Sequence, residues 1–165
     1  MKRIIVLLVA IVLVMSTISF ADSEDIQSYS EASGNCNTCP AASLDRGTNI
    51  PSTIYSLDNT YWGTAVYYVS VYTNCLFSDH NGCIQITVDN YNDIPGDDNY
   101  NMQVSLCHKS FWGTQIVDET RNVWVNGYDT LIFNGLDENV DYFFQFSQNF
   151  QTYATTTHFT IVRGN

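Results

Sequence analysis

Cysteine is the residue type with the most evident chemistry in this chain of 165 residues, which contains five. Cys36 and Cys39 form a Cys-x-x-Cys element, which redox enzymes use at the start of a helix. No helical pattern surrounds it here, so we interpret it as a local disulfide or as one arm of a disulfide to the rest of the chain. A zinc site that adds Cys75, His80 and Cys83 is the competing interpretation, but oxidising surroundings favour disulfides and the spacing matches no familiar zinc finger.

A loop rich in oxygen-bearing side chains, residues 89–99, could bind a hard cation. Calcium prefers carboxylate and carbonyl oxygens, and Asp93, Asp97 and Asp98 would be its ligands here. The spacing does not match the EF-hand loop, and aspartate is also common in turns for local hydrogen-bonding reasons. A plain solvated loop is therefore the alternative to a structural calcium site.

Aromatic residues make up 14% of the chain, with eleven Tyr and three Trp. Trp62 and Trp112 each precede a glycine near a predicted strand end, where a ring can face solvent and stack on a ligand. Packing at the edge of the core is the alternative for both. Phe143 alternates with apolar neighbours on its strand, which predicts that it projects onto the polar face. We predict these three as ligand-binding residues.

The chain lacks four common sequence motifs of enzymes. It has no Gly-x-Ser-x-Gly elbow, no His-Glu-x-x-His helix, no P-loop and no dinucleotide-binding fingerprint. Carboxylates are numerous enough for a glycosidase pair, but such enzymes need a cleft that one small sandwich rarely builds. The sequence therefore predicts a protein that is not an enzyme.

Residues 1–21 have the three parts of a secretory signal peptide. Lys2 and Arg3 form the positive region, 4–14 the apolar run and 19–21 the small-residue cleavage site. Cleavage would remove two basic residues and no acid, so the net charge would go from −11 to −13. Such an acidic chain lacks the basic cluster that nucleic acids or anionic membranes require. We expect a secreted protein with no membrane insertion after cleavage.

The rest of the chain divides into an irregular arm, residues 22–52, and a domain, residues 53–165. The arm is rich in small polar residues, whereas the domain has β-branched and aromatic runs between turn residues. About seven short strands at this spacing predict a single antiparallel β-sandwich. The fold class is therefore all-β, Ig-like or jelly-roll-like.

The clearest strands are 84–90 and 100–108, in which apolar and polar residues alternate. If they pair as an antiparallel hairpin with Ile84 opposite Leu106, all the apolar side chains share one face. That register sets Cys83 opposite Cys107, close enough for a disulfide. A bond between Cys75 and Cys83 across the intervening turn is the rival, and both cannot form.

The segment from Leu136 to Phe146 resembles the E-to-F corner of fibronectin type III and related immunoglobulin-like sandwiches. In those domains a leucine precedes by six residues a tyrosine, here Tyr142, whose hydroxyl bonds back to the corner backbone. The resemblance covers about a dozen residues and implies a Greek-key sandwich. It implies an architecture and no function.

These patterns together predict a secreted, non-catalytic binding module. Its expected ligand is an extracellular carbohydrate or a cell-surface component, held by exposed aromatic and amide side chains. The first alternative is a secreted protein–protein interaction factor, such as a toxin, a bacteriocin-like factor or an inhibitor. The second alternative is a small secreted hydrolase.

Overall fold

The computed structural model describes residues 31–34, 49–92, 101–149 and 153–165, and the regular structure in these ranges is β-strand throughout. Within the same ranges no helix is long and apolar enough to cross a membrane. The strands are β1 (Glu31–Gly34), β2 (Ile54–Ser56), β3 (Tyr61–Tyr67), β4 (Ser70–Tyr72), β5 (Leu76–Ser78), β6 (Cys83–Asn92), β7 (Asn101–Lys109), β8 (Gln115–Trp124), β9 (Gly127–Asn134), β10 (Tyr142–Ser147) and β11 (Thr155–Arg163).

Two sheets make up the fold. Sheet A has the order β1-β3-β11-β6-β9 and is antiparallel, and sheet B has the order β2-β5-β10-β7-β8, with β4 also pairing with β10. The β2–β5 pair in sheet B is parallel, whereas β10 runs antiparallel to β4, β5 and β7. The sheets bury their inner faces against each other, and this confirms the predicted all-β sandwich.

The core forms because side chains alternate between the two faces of each strand. Ile86 on β6 and Val104 on β7 are fully buried, as are the inward residues on either side of them. Aromatic rings from both sheets fill the space between the sheets. The ring centroids of Phe146 in sheet B and Phe159 in sheet A are 4.9 Å apart. Burying one such side chain stabilises the fold by roughly 1.5–3 kcal/mol.

The predicted hairpin between β6 and β7 is wrong. β6 lies between β11 and β9 in sheet A, and β7 lies between β10 and β8 in sheet B. The inward residues of the two strands therefore belong to opposite sheets of one core. Alternation in the sequence identifies the buried face of a strand, but it does not identify the strand beside it.

The corner before β10 has the hydrogen bond that its resemblance to immunoglobulin-like domains implies. The hydroxyl of Tyr142 accepts the backbone N–H of Asp137 at 3.2 Å. His80 joins this corner to the turn before β6, since Gly82 N–H donates to its Nδ1 at 3.1 Å while its Nε2 lies 3.0 Å from the carbonyl of Val140. Because Nδ1 accepts, the proton of the neutral ring must be on Nε2.

Candidate functional site

The outer face of sheet A brings polar side chains from four neighbouring strands into rows. Thr64 on β3 lies opposite His158 on β11, His158 lies opposite Asp89 on β6, and Asp89 lies opposite Tyr128 on β9. Directly opposite side chains in antiparallel strands lie within about 5.5 Å at Cβ. The four residues therefore form one continuous row across the sheet.

A second row runs beside the first, two residues along each strand. Trp62 lies opposite Thr160, which lies opposite Thr87 on β6. Between the two rows is a shallow depression of about 260 Å³, which we call the sheet A depression. Its lining residues are Trp62, Gly63, Thr64, Thr87, Asp89, Tyr128, His158, Phe159 and Thr160.

Two aromatic rings flank the sheet A depression. Trp62 is 57% exposed and Tyr128 is 75% exposed, which leaves most of both rings open to a ligand. Their strands are separated by three strand spacings, which is roughly 14 Å at the backbone. An extended ligand of a few rings could therefore contact both at once.

Hydrogen bonds hold part of the floor in place. The hydroxyl of Thr64 lies 2.9 Å from Nδ1 of His158, and the hydroxyls of Thr87 and Thr130 lie 3.1 Å apart. The ring of Tyr91, on the next row, lies 5.7 Å from the imidazole ring of His158. The imidazole is therefore oriented by its neighbours before any ligand arrives.

The floor offers both donors and acceptors. Asp89 is exposed and supplies a carboxylate, Thr160 supplies a hydroxyl, and Nε2 of His158 faces away from the bond to Thr64. Asp89 is the single carboxylate among the lining residues, whereas glycoside hydrolysis ordinarily uses two. The arrangement suits reversible binding of a ligand that has hydroxyl groups.

The structure places the two predicted tryptophans at different sites. Trp62 borders the sheet A depression, but Trp112 lies at the tip of the turn between β7 and β8. Trp112 is 85% exposed, and its ring makes an edge contact with that of Phe111 at 5.3 Å. Both tryptophans are exposed rather than packed at the edge of the core, but Trp62 lies on sheet A and Trp112 in a turn between two strands of sheet B.

The predicted exposure of Phe143 is wrong, because its side chain is fully buried. It does point away from the main core, as its alternation predicted, onto the outer face of sheet B. There it packs with Leu76 and Cys107 in a small second cluster, and the ring of Tyr72 meets it edge-on at 5.3 Å. Neighbouring side chains thus cover Phe143 on the face that the sequence predicted to be polar, and no surface of its ring is left for a ligand.

The predicted Cys83–Cys107 disulfide is also wrong, since both cysteines are free and buried. They lie on different sheets, and Cys83 donates to the side-chain oxygen of Asn134 at 2.8 Å. The alternative bond between Cys75 and Cys83 is also wrong, because Cys83 is free. Cys75 is disulfide-bonded, and Cys36 and Cys39 lie outside the described residues.

Burial makes Cys107 a poor nucleophile. The apolar cluster around it raises the pKa of its thiol to about 11, although the side-chain amide of Gln115 donates to the sulfur and opposes the shift. The thiolate is the reactive form of cysteine, and at this pKa it is scarce at neutral pH. Cys107 therefore belongs to the packing of sheet B.

The proposed calcium ligands Asp93, Asp97 and Asp98 lie outside the described residues. Within the described ranges, no group of three or more His, Cys, Asp or Glu side chains is arranged to hold a metal ion. Zinc binding by the cysteines and His80 thus has no support there, since His80 uses both ring nitrogens within the corner.

Of the residues that line the depression, only Trp62 was identified from the sequence, and Asp89, Tyr128 and His158 are among those that were missed. Each lies on a separate strand, so only the strand order brings them together. One signal was present in the sequence, because His158 and Thr160 alternate with the apolar residues Phe159 and Ile161 along β11. That pattern places His158 on the outer face, but it does not reveal the neighbours across the sheet.

Neither protein-family models nor curated proteins match this chain. Among solved structures, the Yersinia pseudotuberculosis-derived mitogen is 11% identical, with a TM-score of 0.36 over 70% of this chain and 90% of that one. The CBM22-1–GH10 modules of Clostridium thermocellum xylanase 10B, complexed with xylohexaose, are 10% identical, with a TM-score of 0.43 over 85% of this chain and 25% of that one. A xylan-binding domain from CBM22 is 12% identical, with a TM-score of 0.35 over 64% of this chain and 74% of that one.

Proposed function

We propose that this protein is a secreted, non-catalytic module that binds an extracellular carbohydrate in the sheet A depression. One observation carries the proposal: Trp62 and Tyr128 flank a floor of hydroxyl, imidazole and carboxylate groups. Secretion is supported by the signal-peptide pattern of residues 1–21.

Sugars match this combination of groups. A sugar ring has an apolar face of C–H groups that can stack on an aromatic ring, and a rim of hydroxyls that needs hydrogen-bond partners. Trp62 and Tyr128 supply the rings. The carboxylate of Asp89 can accept charge-assisted hydrogen bonds from sugar hydroxyls, and such bonds are about twice as strong as neutral ones.

The charge of the site favours a neutral sugar. Asp89 lies on the floor of the depression, and the whole chain has a net charge of −11. An acidic sugar such as a uronate would bring its own carboxylate close to Asp89, and like charges repel. We therefore expect neutral glycans to bind and uronate polymers to bind poorly.

A protein partner is the second candidate, and one observation favours it. Phe111 is 93% exposed and Trp112 is 85% exposed at the tip of a turn that Ser110 and Thr114 hold together by backbone and hydroxyl hydrogen bonds. Exposed aromatic pairs of this kind are typical anchors of protein interfaces. This tip would act independently of the sheet A depression.

A glycan array tests the first proposal against the second. Trp62→Ala and Tyr128→Ala should each weaken glycan binding by about tenfold, since a stacked aromatic contributes about 1.5 kcal/mol. Trp112→Ala is the matched control, because it removes an exposed tryptophan in the turn between β7 and β8, and it should bind as the wild type does. Unchanged binding in both test variants, or a loss confined to Trp112→Ala, would overturn the proposal.

A further inference from the structure

The outer face of sheet B has a second polar depression, on the opposite side of the sandwich. Ser147 on β10 lies opposite Gln103 on β7, and Gln103 lies opposite Asn122 on β8. Asn101 lies two residues along β7 on the same face. These residues, with Gln148 and Asn149, line a depression of about 230 Å³.

Three amides at this end of the face are available for a ligand. The side chains of Asn101, Gln103 and Asn122 are exposed, and none of them has a hydrogen bond to another described residue. Elsewhere on the face the polar groups pair with each other. Gln115 donates to Gln145 at 2.8 Å, for example. At this end Gln148 is bonded to Tyr67, Tyr68 and Thr155, whereas the side chains of Asn101, Gln103 and Asn122 remain open to a ligand.

The chemistry of this depression selects an uncharged ligand. Its lining residues are amides and one hydroxyl, with no ionisable side chain among them. Amide groups both donate and accept, which matches sugar hydroxyls, and the lining offers no apolar pocket for the side chains of a peptide. Trp124 lies opposite Asn101 on the same face, more than half exposed, where it can stack on a sugar ring.

We infer that this face is a second binding site for a neutral carbohydrate, formed by Asn101, Gln103 and Asn122 beside the ring of Trp124. The inference rests on the proposed function for the class of ligand, but no residue of the sheet A depression takes part. The two sites lie on outer faces that point in opposite directions. One molecule would therefore join two glycan chains, one on each side of the sandwich.

The three tryptophans of the chain make a direct test feasible, because each reports on a different place. Trp62 borders the sheet A depression, Trp124 lies opposite Asn101 of the second depression, and Trp112 lies in the turn between β7 and β8. We would titrate the ¹⁵N-labelled protein with xylohexaose, cellohexaose, mannohexaose and chitohexaose and follow the indole and side-chain amide signals. For at least one sugar, the signals of Trp124 and the amides should shift while that of Trp112 stays in place.

A double variant, Gln103→Ala with Asn122→Ala, separates this site from the first. It should reduce the ligand-induced shift of the Trp124 signal at least fivefold, and the shift of Trp62 should not change. An unchanged Trp62 response also shows that the variant is folded.

The remaining outcomes distinguish the second site from the proposed function. If a sugar moves only Trp62, the second site is overturned and the proposed function stands. If a sugar moves only Trp124 and the amides, the second site stands and the sheet A proposal fails. If none of the four sugars moves either signal, or if Trp112 alone responds, both are overturned, and that result would also be expected if a protein partner occupied this face.

Discussion

The hydroxyl of Thr64 on β3 lies 2.9 Å from Nδ1 of His158, the residue directly opposite it on β11. This hydrogen bond fixes the orientation of the imidazole at the floor of the sheet A depression. A side chain that is already ordered loses less conformational entropy when a ligand binds, and this raises affinity.

Thr64→Val should therefore weaken glycan binding without destabilising the fold. The substitution keeps the β-branched shape at this position but removes the hydroxyl, so His158 is free to rotate. We expect the dissociation constant of a glycan selected on the array to rise about fivefold, since the net contribution of one such bond is about 1 kcal/mol. Calorimetric titration gives the constant, and a thermal melt gives the control. An unchanged constant would mean that the imidazole takes no part.

Phe143→Ala should have the opposite profile. The side chain is fully buried, and large-to-small substitutions of phenylalanine in a core cost about 3–5 kcal/mol. Urea denaturation should show a loss of this order, while glycan binding by the folded fraction stays at the wild-type level. Phe111→Ala is the matched control, because that ring is almost fully exposed and its loss should change stability by less than about 0.5 kcal/mol. A Phe143→Ala variant as stable as the wild type would contradict the burial.

Phe143 also shows where the sequence stops being informative. Alternation correctly assigned it to the face opposite the core, and correctly assigned Ile86 and Val104 to the core itself. It could not reveal that other side chains of sheet B cover that face, or that β6 and β7 belong to different sheets. Strand partners depend on the path of the whole chain, whereas alternation is a local property.

The candidate site was predicted in part for the same reason. Trp62 was identified by its residue type and its place beside a glycine. Asp89, Tyr128 and His158 are ordinary strand residues in the sequence, and they become one row only through the order of sheet A. A site that consists of residues from four strands is visible only when the register is known.

Asp141 should make the stability of the protein depend on pH. Burial raises the pKa of its carboxyl group above the ordinary value of 3.8, and Asp79 adds to this effect while His80 opposes it. A group whose pKa is raised on folding opposes folding when ionised. Asp141→Asn should therefore be more stable than the wild type at neutral pH, and the gain should disappear as the pH falls through the raised pKa to below 3.8.

Asp137→Asn is the matched control, with the opposite sign. The backbone N–H and the side-chain amide of Asn139 both donate to this carboxylate and lower the pKa of Asp137. The variant should be less stable than the wild type at neutral pH, and the deficit should vanish as the pH falls below 3.8 through the lowered pKa. Thermal melts from pH 7 to strongly acidic pH measure both differences. The same sign for the two variants at pH 7 would contradict the assignment.

Cys107 should resist alkylation in the folded protein. Its thiol is buried and its pKa is raised to about 11, so little thiolate is present or accessible between pH 7 and pH 9. Mass spectrometry after treatment with iodoacetamide should find Cys83 and Cys107 unmodified in the native state and modified after denaturation, without any reductant. Rapid native labelling of Cys107 would show that the second cluster of sheet B opens.

A crystal structure of the protein with a glycan selected on the array tests the central claim most directly. We predict that a sugar ring stacks on Trp62 or Tyr128 and that one of its hydroxyls donates to the carboxylate of Asp89. A glycan bound elsewhere, with both rings left in solvent and Asp89 making no contact to it, would contradict the account.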